Sequence, residues 1–460
     1  MASAAGWKKW AVVLVAGFSG ACAGTDADGM MGEAAATDEA CVPVTCGQLG
    51  RMCGASSDGC GGTVSCGVCG DGACNEVGFC CGGNNGADPC GPALHAGGAV
   101  DFAVITSGSE SDGFTAVDAD LMGNLFVLKQ LGPTMFLEKY TGIGNKAARA
   151  DFSVDLEAFA SGISVAPTLD QIVISAEPST ASLFEGSTER SFTKDGASAG
   201  TGRSFLREAR RSLLAMSYQG SKAFADSEGR LIVRDSADRV YFEMEELPVR
   251  IFDSAFDIDE NIIAVGETSA NFVWRGMSFN IGTPFVVKYS KLGAVLWAKS
   301  MNVAGVAREI GMTSNGFAVV SGTFMGGFSF AEEVLESRSA AAGFVLGFNP
   351  DGTERYGYSP GIVNEWPRVA MDQTGVAFIA YDRPSCGPME VQAMTFKGEL
   401  AWRKVFENTN CTLEGRVNGL AAVRGVPVLA GRFTGTMTNL DAPQSADLSS
   451  SHGFLIKFKP

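Results

Sequence analysis

Residues 255–266 read AFDIDENIIAVG, and residues 284–300 read PFVVKYSKLGAVLWAKS. Each stretch holds two short runs rich in Val, Ile, Phe and Ala, separated by turn residues such as Asp257, Asn261 and Gly293. Apolar runs of this length between such residues are typical of antiparallel strands joined by hairpin turns. Together the two stretches predict a four-stranded antiparallel unit.

The first stretch recurs along the chain. Six further copies read AVDADLMGNLFV, ISVAPTLDQIVI, AFADSEGRLIV, IGMTSNGFAVVSG, VAMDQTGVAFIA and LAAVRGVPVLAG, from Ala116, Ile163, Ala223, Ile310, Val369 and Leu420. Their starts lie about 30 to 60 residues apart, and a blade of a β-propeller takes about 40 to 50 residues plus loop insertions. The repeat therefore predicts an all-β propeller domain over residues 101–460.

The second half of the unit recurs in residues 394–406, MTFKGELAWRKVF, where Trp402 takes the place of Trp297. Phe followed three residues later by Lys, then a Gly turn and a Trp, resembles the bacterial β-propeller repeats found in tandem in large secreted proteins. The resemblance implies a six- or seven-bladed propeller, and the short copy at Ala223 leaves both numbers open. We expect the terminal run GFLIKFKP to complete a blade with a strand near residues 102–106, because such closure protects the edges of the ring.

The first 21 residues read as an export signal: Lys8 and Lys9 precede a short apolar run and a small-residue cleavage site. The run is too short to span a bilayer. Ser19-Gly20-Ala21-Cys22 resembles the lipobox of bacterial lipoproteins, although Ser19 stands where that family usually has Leu. The resemblance implies a lipid on Cys22 and, with Ala23 in place of an Asp retention signal, the outer membrane or cell surface. The alternative is an ordinary secretory signal cleaved after Ala21.

The 13 cysteines are an odd number, and lipidation of Cys22 leaves twelve for disulfide bonds in an oxidising compartment. We predict that all twelve are disulfide-bonded: Cys41, Cys46, Cys53, Cys60, Cys66, Cys69, Cys74, Cys80, Cys81 and Cys90 within one segment, and Cys386 with Cys411 in the repeat domain. The CxxC of Cys66 and Cys69 also fits half of a zinc site or a redox motif. Disulfides are favoured because no His precedes His95, and no metal is expected.

These features divide the chain into residues 1–21 as signal peptide, 22–40 as lipidated flexible tether, 41–92 as cysteine-rich disulfide-stapled segment, 93–100 as linker and 101–460 as propeller. The tether is small, acidic and too poor in apolar residues to fold. The cysteine-rich segment has little core besides Leu49, Phe79 and a few Val, so it needs covalent staples, and we expect it to act as a stiff spacer. Its run DGCGGTVSCGVC, residues 58–69, resembles segments that follow the lipobox in predicted lipoproteins of myxobacteria.

Three kinds of candidate site residue have structural explanations. Asp257, Asp259 and Asn261, and likewise Asp118 and Asp120, have the alternating spacing of a calcium loop without its full pattern, so we predict Asx turns. Trp297 and Trp402 recur at one place in the repeat, which favours blade packing over sugar stacking; Trp274 and Trp366 are the other candidates. Arg203, Arg207, Arg210 and Arg211 form a possible anion patch, with a solvated insertion as the simpler interpretation.

A formal net charge of −16 argues against nucleic-acid partners, and two His residues in 460 disfavour His-dependent catalysis. No catalytic residue and no cofactor are expected. The sequence predicts a non-catalytic cell-envelope lipoprotein that presents its propeller to a protein or glycan ligand and contacts the membrane through its lipid. The alternative is an envelope enzyme on the same scaffold, of the quinone-dependent dehydrogenase or polysaccharide lyase type. Carboxylates, Arg or a metal converging at one channel mouth with perturbed pKa values would favour the enzyme.

Overall fold

The computed structural model describes residues 43–47, 49, 51, 53–69, 73–74, 80–81, 98–106, 113–120, 123–141, 150–156, 159–166, 169–177, 188–201, 212–225, 229–237, 239–384, 387–406, 415–423, 425–434, 436–437, 440, 444–445 and 452–459. All of them belong to one compact unit, Cys41–Pro460. Their regular structure is β-strand. The described residues include no helix with the length and apolar character needed to cross a membrane.

The N-terminal part of the unit holds two short hairpins and one longer strand. These are β1 (Ala55–Ser57), β2 (Thr63–Ser65), β3 (Ala73–Cys74), β4 (Cys80–Cys81) and β5 (Val100–Ile105). β1 pairs with β2 and β3 with β4, both antiparallel. β5 belongs to the propeller that follows.

Seven four-stranded antiparallel sheets make up the rest of the described chain, and they are the blades of a propeller. Blades 1 to 3 comprise β6 (Gly113–Ala119), β7 (Leu125–Leu131), β8 (Thr134–Tyr140) and β9 (Phe152–Asp155); β10 (Phe159–Val165), β11 (Ile172–Glu177), β12 (Thr188–Phe192) and β13 (Ser198–Thr201); and β14 (Ser212–Met216), β15 (Lys222–Ala225), β16 (Leu231–Arg234) and β17 (Val240–Glu243). In each of these blades the strands follow chain order across the sheet.

Blades 4 to 7 carry longer hairpins. They comprise β18 (Val249–Phe256), β19 (Ile262–Thr268), β22 (Pro284–Tyr289) and β23 (Val295–Ser300); β24 (Ala304–Met312), β25 (Ala318–Phe330), β26 (Glu333–Phe348) and β27 (Glu354–Ile362); β28 (Arg368–Met371), β29 (Ala377–Asp382), β30 (Met389–Met394) and β31 (Leu400–Phe406); and β32 (Arg416–Val423), β33 (Val426–Phe433), β36 (His452–Phe458) and β5. Two accessory hairpins project from blades 4 and 7: β20 (Phe272–Trp274) with β21 (Met277–Phe279), and β34 (Thr436–Met437) with β35 (Gln444–Ser445).

The ring closes by joining the two ends of the propeller domain, as the sequence predicts. β36 pairs with β33 on one side and with β5 on the other, with Leu455 opposite Val104. Phe454, Leu455 and Ile456 of β36 have no exposed surface. The number of blades is thus seven, and the propeller prediction is confirmed.

The repeat copy that starts at Ala223 is out of phase with the others. Residues 223–233 span β15 and β16, the second and third strands of blade 3, whereas every other copy spans a first and a second strand. The first strand of blade 3 is β14, residues 212–216. Two consecutive strands joined by a turn give the same local sequence pattern anywhere in a blade. Which two strands of the blade they form therefore depends on the neighbouring blades.

Tryptophans at the shared repeat position pack one blade on the next. The indole of Trp297 stacks on Phe348 of blade 5 at 5.8 Å between ring centroids, and Trp402 stacks on Phe458 of blade 7 at 5.5 Å. The hydrophobic clusters likewise draw residues from adjacent blades. Each blade therefore buries its apolar faces against its neighbours, as expected of a sheet that is unstable alone.

Candidate binding site at the central channel

The first strands of the blades form a ring around a central cavity of about 890 Å³. We call the end at which these strands begin the entrance, and the end at which they turn into the second strands the floor. The cavity has the size of a small-molecule site, about 300 to 1,000 Å³. The two ends differ in construction.

A hydrogen bond crosses the channel at the floor. Nε2 of Gln373, in a turn of blade 6, donates to the hydroxyl of Tyr218 in blade 3 over 3.0 Å. Oε1 of Gln373 accepts the backbone N–H of Ser314 in blade 5. Blades 3 and 6 are not neighbours, so these side chains narrow the channel at its floor.

The cysteine-rich segment covers this floor. Val44 and Leu49 are buried in one cluster with Tyr218 and Ile258 of the propeller turns, and Gly47 lines the cavity. The hydroxyl of Ser56 also donates to Oδ1 of Asn315 in blade 5. The sequence predicts a stiff spacer, whereas Val44, Leu49, Ser56 and Gly59 lie against the propeller. Val44 and Leu49 are among the few apolar side chains of the segment.

Disulfides hold the covering segment together. Cys46 is bonded to Cys66 and Cys53 to Cys74, and Cys60 and Cys69 are disulfide-bonded as well. The sulfur atoms of Cys53, Cys69 and Cys74 lie within 4.8 Å of one another, but their bonds leave no thiolate for a metal. Cys80 and Cys81 lie in β4. Lipidation of Cys22 and pairing of the remaining cysteines stay predictions; Cys22, Cys41, Cys90, Cys386 and Cys411 lie outside the described residues.

At the entrance, one guanidinium lies between two aromatic rings. Cζ of Arg308 in β24 is 4.0 Å from the ring centroid of Phe252 in β18 and 5.2 Å from that of Trp366, just before β28. Arg250 and Arg368 extend the row, at 5.6 Å from Phe252 and 4.5 Å from Trp366. Three blades thus contribute alternating cations and rings, a favourable arrangement at partly desolvated sites.

The other arginines of the entrance have carboxylate partners. Arg250 pairs with Glu267 at 3.4 Å, and Arg368 pairs with Glu309 and Glu365. Arg416 pairs with Glu365. By contrast, Arg308 has no hydrogen bond or ion pair within the described ranges, and its buried Nε has no acceptor. Burial lowers the pKa of Arg308 from its ordinary value.

Carboxylates on the channel wall connect each blade to the next. Asp118 accepts the backbone N–H of Val165 at 2.8 Å, and Asp253 accepts that of Ile310 at 3.0 Å. Glu309 accepts the N–H of Val369 at 3.1 Å. Burial raises the pKa of Asp118 to about 6, and burial with the nearby charge of Glu309 raises the pKa of Asp253 well above its ordinary range. Asp118 is therefore an interblade contact and not the Asx turn that the sequence suggests.

Other aspartates do cap the floor turns as predicted. Oδ1 of Asp257 accepts the backbone N–H groups of Asp259 and Asn261, and Asp120 accepts that of Asn124. In both turns the Asn side chain also donates to the second carboxylate oxygen, at 2.9 Å. These are Asx turns.

Asp372 caps the corresponding turn of blade 6 without this second partner. Its Oδ1 accepts from Thr374 and Val376, but its buried Oδ2 has no partner in the described structure. Val376 stands where the other turns have Asn, and Ala393 stands where blade 4 has Lys288, which pairs with Asp257 at 3.0 Å. Burial raises the pKa of Asp372 to about 6.

The buried environment of Asp372 predicts that its carboxylate destabilises the fold as the pH rises. A carboxyl whose pKa rises on folding stabilises the fold fully below its unfolded pKa, near 4, and loses that contribution as the pH rises through 6. Asp372→Asn does not titrate, so its free energy of unfolding relative to wild type should increase by about 2 to 3 kcal/mol between pH 4 and pH 7.5. Urea unfolding at both pH values measures this. Asp351→Asn, at an exposed turn, is the control, and an equal change in both variants would contradict the prediction.

The remaining sequence candidates lie apart from the channel or outside the described residues. Trp274 is buried in β20 and donates to Glu245 at 2.6 Å. Arg203, Arg207, Arg210 and Arg211 lie outside the described ranges. Of the four candidate tryptophans, only Trp366 lines the cavity. Sequence reasoning missed Arg308 and Phe252; aligning the repeats would have placed both at one position of the first strand.

These features define a seven-bladed β-propeller whose channel floor is covered by a disulfide-stapled segment. No family model matches the sequence, and no curated protein matches it. Among solved structures, the chain is similar to Chaetomium thermophilum Raptor, at 9% identity and a TM-score of 0.50, over 80% of this chain and 30% of that one. Kuenenia stuttgartiensis hydrazine synthase is similar at 9% identity and a TM-score of 0.46, over 70% of this chain and 93% of that one. The Neurospora crassa Pan2 WD40 domain is similar at 10% identity and a TM-score of 0.43, over 75% of this chain and 89% of that one. At these identities the likeness to Raptor shows the fold alone.

Proposed function

We propose that this protein is a non-catalytic lipoprotein of the bacterial cell envelope that presents the entrance face of its propeller to a protein or glycan ligand. The observation that carries the proposal is the asymmetry of the two faces. The cysteine-rich segment packs on the floor turns of blades 3 to 5 through Tyr218, Ile258 and Asn315. The entrance face has no such cover among the described residues and is the available platform.

Apolar side chains are exposed on the hairpins that rise from the entrance face. β20 with β21, and the far ends of β25 and β26, join second to third strands and therefore project at this end. Val273 is 72% exposed, Met325 56% and Val334 65%. Exposed apolar residues concentrated on protruding elements are typical of interaction surfaces.

The enzyme alternative has one observation in its favour. Asp253, Glu309 and Arg368 converge near the entrance, and the pKa of Asp253 is raised by burial and by Glu309. Both carboxylates, however, accept a backbone N–H of the next blade, which supports a structural role. Two activities would favour the enzyme: oxidation of a sugar or alcohol with an added quinone, or cleavage of an acidic polysaccharide. Either activity would have to be lost in the Asp253→Asn variant.

Site-specific photo-crosslinking of the full chain in envelope extract tests the binding face. A benzophenone amino acid replaces Met325 on the entrance side or Leu292, which is 87% exposed on a floor-side turn of blade 4. We expect covalent adducts with a macromolecule from position 325 and at least fivefold fewer from position 292, quantified by gel shift and mass spectrometry. Equal yields at both positions, or none, would contradict the proposal.

Fractionation of cells that produce the full chain tests the proposed lipid anchor. Lipidated chains should sediment with the outer membrane, and Cys22→Ala, which cannot be acylated, should move to the soluble fraction. Retention of Cys22→Ala in the membrane would show that the attachment does not depend on this cysteine.

A further inference from the structure

At the entrance, the guanidinium of one arginine is available to bind an anionic ligand. The guanidinium of Arg308 has no carboxylate within ion-pair distance among the described residues, although the charge of Glu267 acts on it from farther away. Arg250, Arg368 and Arg416 around it are paired. Phe252 and Trp366 hold its plane from two blades. A guanidinium flanked by two rings in this way can bind a carboxylate through two parallel hydrogen bonds from its Nη groups.

The two rings are poorly placed for a sugar. Each has a second guanidinium within cation–π distance, Arg250 at Phe252 and Arg368 at Trp366. A sugar ring stacked on either side chain would have to displace one of these cations. The entrance therefore favours recognition of charge over stacking.

Between the entrance and the floor, apolar side chains alternate with polar ones on the channel wall. Partly exposed side chains of five different blades line it: Ile163, Leu214, Met312, Met371 and Leu420. On this wall Asp118 and Asp253 already accept backbone hydrogen bonds from the next blade, and Asp372 accepts those of its own turn. A narrow apolar chain can lie against these five side chains and gain roughly 0.8 kcal/mol for each methylene group that they bury.

We propose that the channel binds a small amphiphilic carboxylate, with its carboxylate on Arg308 and its apolar chain directed toward the Tyr218–Gln373 floor. This ligand is additional to the macromolecule proposed for the outer surface of the entrance face. Specificity comes from the combination of a cation without an ion pair at the rim, apolar side chains of five blades below it and a floor that is narrowed by Tyr218 and Gln373.

Calorimetric titration of the full chain with decanoate, below its micellar concentration, tests the proposal. We expect one site per chain. Decyltrimethylammonium has a tail of similar length with the opposite charge, and acetate has the head group with a single methyl group; both should bind at least tenfold more weakly. Arg308→Gln should weaken decanoate binding by about 10- to 100-fold, the effect of losing a charge-assisted hydrogen-bonded contact, and Arg308→Lys should retain part of the affinity.

Arg355→Gln is the matched control. Arg355 also lies against two rings, Phe317 and Phe396, but on the floor side of blade 5 and outside the channel, so this variant should bind decanoate as wild type does. Thermal unfolding verifies that each variant is folded. Equal binding of decanoate and decyltrimethylammonium, or unchanged affinity in folded Arg308→Gln, would overturn the proposal. Crosslinks from position 325 without decanoate binding would refute only this inference, and the reverse result would refute only the proposed platform.

Discussion

Removal of residues 453–460 should unfold the whole propeller. These residues provide most of β36, which lies between β33 and β5. Phe454, Leu455, Ile456 and Phe458 are fully buried, and each such side chain stabilises a fold by about 1.5 to 3 kcal/mol. Their sum is comparable with the 5 to 15 kcal/mol that stabilises a typical protein. The truncated chain should aggregate or be cleaved along its length in limited proteolysis.

A shorter truncation separates the effect of losing the closing strand from the effect of shortening the C-terminus. Removing residues 459–460 leaves every β36 pair in place and costs one backbone hydrogen bond, from Lys459 to Ala99. That variant should keep the wild-type melting transition. If the longer truncation also melts cooperatively and resists protease, β36 is not the closing strand on which the ring depends.

The propeller could be predicted from sequence because its signals are local. Alternating strands, turn residues such as Asp257 and the recurrent Trp297 and Trp402 each follow from a few neighbouring residues, and the structure confirms their roles. The phase of blade 3 could not be predicted in this way. β14 follows a basic segment, residues 203–211, and the pair β15 and β16 mimics the first hairpin of the other copies.

The candidate site could be predicted only in part, because its residues are distant in sequence. Trp366 is conspicuous as a tryptophan, but Arg308 reads as one charged residue in a strand. Its significance depends on Phe252 and Trp366, which neighbouring blades bring to within cation–π distance. The pairing of the surrounding arginines, which leaves Arg308 without a carboxylate, is likewise a property of the assembled ring.

The glycine that ends several repeat copies has a steric reason. Gly266, Gly322 and Gly431 occupy the same place in the second strands of blades 4, 5 and 7, opposite a β-bulge in the first strand. A Cβ on Gly322 would lie 1.9 Å from the backbone oxygen of Val306, and one on Gly266 would lie 1.9 Å from that of Arg250. Blade 6 has no bulge in β28 and carries Tyr381 at this place.

Gly322→Ala should therefore destabilise the protein by about 3 kcal/mol or more, the upper range for overpacking, because the obstacle is backbone that cannot rotate away. Gly327→Ala is the matched control in the same strand, since its Cβ would meet no atom closer than 3.6 Å. That change should be neutral or stabilising, because Ala costs less backbone entropy than Gly. Urea unfolding of both variants measures the difference. If the free energy of unfolding of Gly322→Ala lies within about 1 kcal/mol of the wild-type value, the β-bulge moves to accommodate the added methyl group, and the steric explanation for this glycine is wrong.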